Sequence, residues 1–409
     1  MSVSPAPVPG RHGPLPVADA IRLVTEGLEP LEAERVPLGE AQGRVLAEDL
    51  EARLTQPPFA ASAMDGFAVR SEDVASLPAT LRVIGESAAG NRFDGTVGKG
   101  GAVRIFTGAP VPHGSDRIVV QENTDSAGET VTVKAVDREP FIRPCGQDFA
   151  EGDVLLRRGT RLGARHLMLA AAMNHAALPV RRKPRVAILS TGDEVVPPGS
   201  EPGPDQIVAS AATGLAALVE EHGGEAMLLG IAKDTPESIA TLARAGSAAD
   251  ILVTIGGASV GERDLVAATL EAEGLRLVFR KMAMRPGKPV FYGRMGPQRV
   301  LGVPGNPVSA VVSALVLLVP MLNGMLGLGS TRRDFGEAVL AEDLPANGPR
   351  EHYMRAVSEW TGEGERLVRP LPAQDSSLMA DFARADCLLV VAPNAPARKK
   401  GERAKILTL

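Results

Sequence analysis

Two kinds of charged residue sit where a strand should give way to a loop. The acids are Asp193 and Glu194 in STGDE, Asp234 after GIA, and Glu262 and Asp264 after GGASVG. The cations are Lys281, Arg285 and Lys288 in KMAMRPGKP. One acid past a strand reads as a helix cap or a turn residue. Three loops of one predicted sheet that all end in acids place those charges on a single edge, where they repel unless cations sit among them. Mg2+ takes one or two carboxylates together with phosphate oxygens and water. A phosphate-bearing ligand with Mg2+ is the natural filling. On the basic side, Pro286, Gly287 and Pro289 hold Arg285 and Lys288 in a tight turn. Fixed cations suit an oxyanion or phosphate.

Glycines at two strand ends would frame the same pocket. Ile251–Ile255 is an apolar run followed by Gly256 and Gly257, and Val300–Val303 runs into Pro304, Gly305, Asn306 and Pro307. Bare backbone at a strand end lets a ligand approach and frees amides for an anion. In open α/β sheets ligands bind beyond the carboxyl ends of the strands. GGASVG lacks the Gly-Lys-Ser/Thr ending of a P-loop, and STGDE is no nucleophile elbow. The six histidines (12, 113, 166, 175, 222 and 352) fall outside these loops, so none is read as a catalytic base. In AASAMDGFAVR, small residues before Met64, Asp65 and Gly66 suggest close backbone approach beside an exposed acid, or a packed connector.

The elements that must position these groups follow from periodicity. VAILS, MLLGIA, ILVTIGG, LRLVFRKMAM and RVLGVPG read as strands. Helices are expected over 210–222, 235–245, 264–273 and 309–326. Strands alternating with helices predict a parallel sheet covered on both faces. Before this block, helices are expected over 17–26, 39–45 and 164–172, while LRVIG, AVRIF, RIVVQE and TVTVKAV alternate as strands. After Gly329-Ser330, five short strand patterns follow. The expected division is a flexible tail over 1–13, an elongated discontinuous domain over 14–54 and 142–180, and a β insert over 55–141. An α/β domain over 181–329 and a C-terminal β barrel over 330–409 complete it.

With 409 residues the chain has room for two to four domains at roughly 100–200 residues each. A formal charge of -5 and only 3% aromatics argue against general nucleic-acid binding. Cys145 and Cys387 form no zinc pattern, and a reduced, cytoplasmic setting is the simplest reading. The N-terminus has no apolar core of a signal peptide, and no uninterrupted apolar run reaches roughly 18 residues. The stretch 308–328 reads as a buried helix rather than a membrane span.

Taken together, ASAMDGFAVR, RIFTGAPVP, ILSTGDEV, GGASVGERD, MRPGKP and VPGNPVSA occur in order. On these motifs the chain closely resembles the molybdopterin molybdenumtransferases, bacterial molybdenum insertases similar to the gephyrin E domain, from about residue 14 onward. The resemblance implies the fold class: a multidomain α/β protein with a three-layer α/β molybdopterin-binding-type domain, the elongated domain, the β insert and the barrel. It implies a Mg2+-dependent transferase that inserts molybdenum from molybdate into adenylylated molybdopterin, releasing AMP and molybdenum cofactor. It implies a homodimer, with the insert of one subunit facing the α/β cleft of the other. Hand-over from a molybdopterin adenylyltransferase and to molybdoenzymes follows, without nucleic acid or membrane.

The family's acids match Asp65, Asp148, Glu194, Asp234 and Asp264, the last two being the candidate metal ligands. Its basic set matches Lys281, Arg285 and Lys288, and Thr107 and Arg143 match cleft positions on the insert. Ser259, Lys288, Arg355 and Ser376 match groups associated with molybdate, and Pro304 and Pro307 match pocket-shaping prolines. Gly256, Gly257 and Asn306 join the substrate-binding set from the loop reading above. Three positions depart from the pattern: Ala211 and Asp386 stand where Asn is common, and Gln147 where Glu is frequent. Two other readings stay open: a related nucleotidyl transferase, which should lack the insert and barrel, and a non-catalytic scaffold.

Overall fold

The computed structural model describes residues 13–257, 265–328 and 335–409. The expectations for the tail over 1–12, for Ser259, Glu262 and Asp264, and for the junction at Gly329-Ser330 lie outside the described residues. Two compact units divide the chain: Met1–Glu34 with Gly43–Ala47 and Val180–Leu409, and Arg35–Gln42 with Glu48–Pro179.

The smaller unit is built on one six-stranded sheet. Its strands are β1 (Gly66–Val69), β2 (Ala79–Ser87), β3 (Gly101–Ile105), β4 (Arg117–Val120), β5 (Thr124–Ala127) and β6 (Thr130–Val133), in the order β4-β1-β3-β2-β6-β5. Alternation sorts their side chains into two cores. Phe67, Val69, Ala102 and Val119 face one side, and Ala68, Val103, Ile105 and Ile118 the other. The chain returns beside its outgoing path, with Ile142 paired to Ser62 and Val154 to Glu51. Here β1 corrects the sequence reading, which left DGFAVR irregular and began the strands later. Gly66 explains it. A Cβ there would lie 1.9 Å from the Val119 carbonyl oxygen, so only glycine lets β1 close on β4. Gly66→Ala is expected to destabilise this unit by about 1–3 kcal/mol. Hydrogen exchange over 66–69 and 117–120 reads the loss, and unchanged protection there would contradict the packing account.

The larger unit holds a second six-stranded sheet. Its strands are β7 (Arg185–Thr191), β8 (Glu225–Ala232), β9 (Ile251–Ile255), β10 (Arg276–Arg280), β12 (Phe291–Met295) and β13 (Gln298–Val303); a two-residue strand, β11 (Met284–Arg285), falls outside it. The order is β8-β7-β9-β13-β12-β10. The first four run parallel, as expected. Of the other two, β12 runs antiparallel to both β13 and β10, so the sheet is mixed, and the all-parallel expectation is corrected. The cause is local. Lys281 takes a left-handed φ of 63°, which ends the strand expected to run through LRLVFRKMAM. The chain then turns back as β12, a strand the sequence reading missed.

Helices cover both faces. Val186 and Ile188 of β7 enter one core with α1 (Val17–Thr25), α3 (Ala211–Glu221) and α6 (Pro307–Met325). Ala187 and Leu189 enter the other with α4 (Pro236–Ala245) and α5 (Leu265–Ala272). The helix α6 is apolar on all sides and mostly buried within the protein, the behaviour of a core helix. In the smaller unit, the expected helix at 164–172 is α2 (Ala164–Ala172). Over 39–45 only a single 3-10 turn, Leu38–Glu40, forms.

The C-terminal strands β14 (Phe335–Leu340), β15 (Glu351–Trp360), β16 (Arg366–Pro370), β17 (Cys387–Val391) and β18 (Arg403–Thr408) close into a ring, because β15 pairs with both β16 and β17. This is the expected barrel. Its β15 also takes β11 as a parallel neighbour, with Arg285 beside His352.

Candidate functional site

Parallel register brings the carboxyl ends of β8, β7, β9 and β13 to one edge, with Thr191 level with Ala232 and Ile255 with Val303. Asp193, Glu194 and Asp234 stand there, all exposed. The Asp234 amide donates to Asp193 Oδ1 at 3.2 Å. Burial raises the Asp234 carboxyl, and the charges of Asp193 and Glu194 add to it. This is the crowding of like charge expected from the sequence. No cation pairs with these three among the described residues. At the opposite end of the sheet, by contrast, Asp250 receives both Nη atoms of Arg182 at 2.7 and 2.8 Å. The helix-cap role belongs to the neighbour Thr235, whose Oγ1 accepts the Ser238 amide at 3.3 Å.

Gly256 and Gly257 have φ of 91° and 61°. A Cβ on the first would lie 2.9 Å from Thr191 Oγ1, and on the second 2.2 Å from Val266 Cγ2. Their missing side chains make room for the protein's own neighbours.

The cations and the proline turns meet the barrel in a cavity of about 800 Å3. Arg285, Lys288, Pro304, Asn306, Ser309 and Ser376 line it. The backbone fixes the basic turn: the Met282 amide donates to the Lys288 carbonyl at 3.0 Å, and the Lys281 amide to Val290 at 2.8 Å. Asn306 Nδ2 donates to Ser376 Oγ at 3.0 Å, which ties the PGNP turn to the barrel loop. Lys281 and Pro307 are not on this wall. Neither is Arg355, which is buried and donates to the carbonyls of Asp375 at 2.6 Å and Ala373 at 3.0 Å. It shapes the loop that carries Ser376.

Sequence reasoning missed Arg350 and His352, which line the same cavity with Met354. The two-residue spacing of these three, from the residue before β15 into it, was the available signal. The His352 ring is 7% exposed, and burial, then the charges of Arg285, Arg350 and Arg355, push it down to about 4.

In the smaller unit, Asp65 Oδ1 accepts both the amide and the hydroxyl of Thr107, at 2.7 and 2.8 Å. These bonds hold its carboxyl below the usual range, with a smaller pull from Arg104. Arg143 and Asp148 line a separate hollow of about 540 Å3 with Gln147 and Pro57. The three departures have visible consequences. Gln147 stands on that hollow's wall, and Ala211 opens α3 as a buried residue. Asp386 spends its carboxylate on Ser358, accepting the amide at 2.9 Å and the hydroxyl at 2.7 Å.

Mixed α/β sheet, mixed β insert and closed barrel, with acids on a sheet edge and a cationic hollow, define a multidomain α/β protein. Family models agree on which one. The MoeA N-terminal region (domain I and II) matches residues 15–174, a probable molybdopterin binding domain matches 187–324, and the MoeA C-terminal region (domain IV) matches 337–409. A molybdopterin molybdenumtransferase of Nostoc sp. is 36% identical over 84% of this chain and 82% of its own. That of Haemophilus influenzae is 34% identical over 88% and 90%. Two crystal structures of a molybdopterin biosynthesis MoeA protein from Pyrococcus horikoshii align at TM-scores of 0.82 and 0.83, with 30% and 27% identity. They cover 97% of this chain and 99% and 100% of theirs. The chain belongs to the molybdopterin molybdenumtransferase family.

Proposed function

We propose that this protein inserts molybdenum from molybdate into adenylylated molybdopterin, releasing AMP and molybdenum cofactor. The observation that carries the reading is the cavity where Arg285 and Lys288 meet Ser309, Asn306 and Ser376. Cations and hydroxyls on fixed backbone suit a tetrahedral oxyanion, because donors already in place need no reorganisation when charge arrives. Ser259, Arg355 and the prolines 304 and 307 belong to the same proposed set, Arg355 acting by shaping the loop.

Among the described residues no group of three or more His, Cys, Asp or Glu could hold a metal. Mg2+ takes one or two carboxylates and completes its shell with phosphate oxygens and water. Asp234, with Asp264, would hold it beside Glu194, and the ion would offset charge on the adenylyl phosphate. Lys281 is proposed to face the same phosphate.

Four domains with the boundaries given above, a cytoplasmic setting and a homodimer complete the proposal. In the dimer, Asp65, Thr107, Arg143 and Asp148 of one subunit would serve the α/β cleft of the other. The substrate would arrive from a molybdopterin adenylyltransferase and the product pass to molybdoenzymes. The test is a defined assay with adenylylated molybdopterin, molybdate and Mg2+, reading AMP release. No release above a protein-free control would end the reading. Light scattering at micromolar concentration should give twice the chain mass; a fully active monomer would remove the shared cleft.

A further inference from the structure

His352 is the side chain of the cavity wall that the reaction scheme leaves without work. It is buried, and no group hydrogen-bonds its ring among the described residues. Its surroundings are charged with one sign. Arg285 stands beside it in register on β11, Arg350 precedes it by two residues, and Arg355 follows on β15. Lys288 lines the same hollow. On the other flank its strand partner is Val391, which brings no charge. The acids nearby are committed: Glu351 accepts the Tyr353 hydroxyl at 2.5 Å, and Asp375 accepts the Ser377 hydroxyl at 2.6 Å. Burial and this cationic ring keep the imidazole uncharged at neutral pH.

We propose that His352 is a proton-linked wall of the oxyanion cavity: its ring is neutral when the cavity is empty and takes one proton from solvent as a tetrahedral dianion enters. The inference rests on the cavity being the oxyanion site. A dianion among Arg285, Arg350 and Lys288 offsets two of their three charges and adds its own attraction for a proton, so the charged imidazole becomes the favoured form. The proton turns a ring that can donate once into one that can donate twice. The sign follows by linkage: the occupied protein binds more protons than the empty one, so affinity rises as pH falls from neutrality toward about 4.

Calorimetric titration of molybdate into the full chain at pH 6, in two buffers of different protonation heat, counts the protons. About half a proton or more should be taken up per anion bound. His352→Gln should bind molybdate with no net uptake. Binding by the wild type without uptake, or equal uptake by the variant, overturns the inference while leaving the oxyanion site intact. No binding of molybdate by the wild type brings down the site and the inference together. Labelled imidazole signals in the wild type decide the matter if the variant does not fold: the His352 resonances must move to the protonated form on adding molybdate, and a static ring refutes the proposal.

Discussion

Turnover falls by about a hundredfold or more when Asp65 becomes asparagine. The substitution keeps the geometry and removes the charge. Asparagine retains an Oδ1 that can accept both Thr107 donors, now at 2.7 and 2.8 Å, so β1 and the neighbouring turn hold. What disappears is an anion that those donors keep ionised across the neutral range. Because the carboxyl is held low, the loss should be the same at pH 6 and pH 8. Initial rates of AMP release in the defined assay measure it. Wild-type rates from a folded Asp65→Asn protein would take Asp65 out of the site, and the proposed contribution of the insert with it.

Lys288→Ala should weaken molybdate binding by about tenfold to a hundredfold, the worth of one charge-assisted contact. The turn itself should survive, because its closing bond comes from the Lys288 carbonyl, which receives the Met282 amide at 3.0 Å. The same titration that counts protons reads the affinity. An unchanged affinity would move the oxyanion away from this wall, whatever the fate of His352.

Much of the fold was legible because period-2 and helical patterns report burial directly. Val186 to Leu189 alternate between two cores, and α6 is apolar throughout. The one reversed strand of the larger sheet, β12, was not legible. Its reversal turns on Lys281 adopting a left-handed conformation, which no propensity for lysine announces. The site was legible where glycine and proline punctuate strand ends, at Arg285, Lys288 and Asn306. Arg350 and His352 were missed because they lie at the start of a strand, one just before it and one inside it, and the pairing of β11 with β15 sets His352 beside Arg285 at the cavity. Arg355 shows the converse: its position matched the family, yet its guanidinium is occupied by loop carbonyls.

The ring of the barrel is completed by β18, which pairs with β14 on one flank and β17 on the other. The module therefore shuts only when this last of its strands docks. Until then two rows of unpaired amides and carbonyls stay open to neighbouring chains, so loss of this six-residue strand threatens solubility more than its length would suggest.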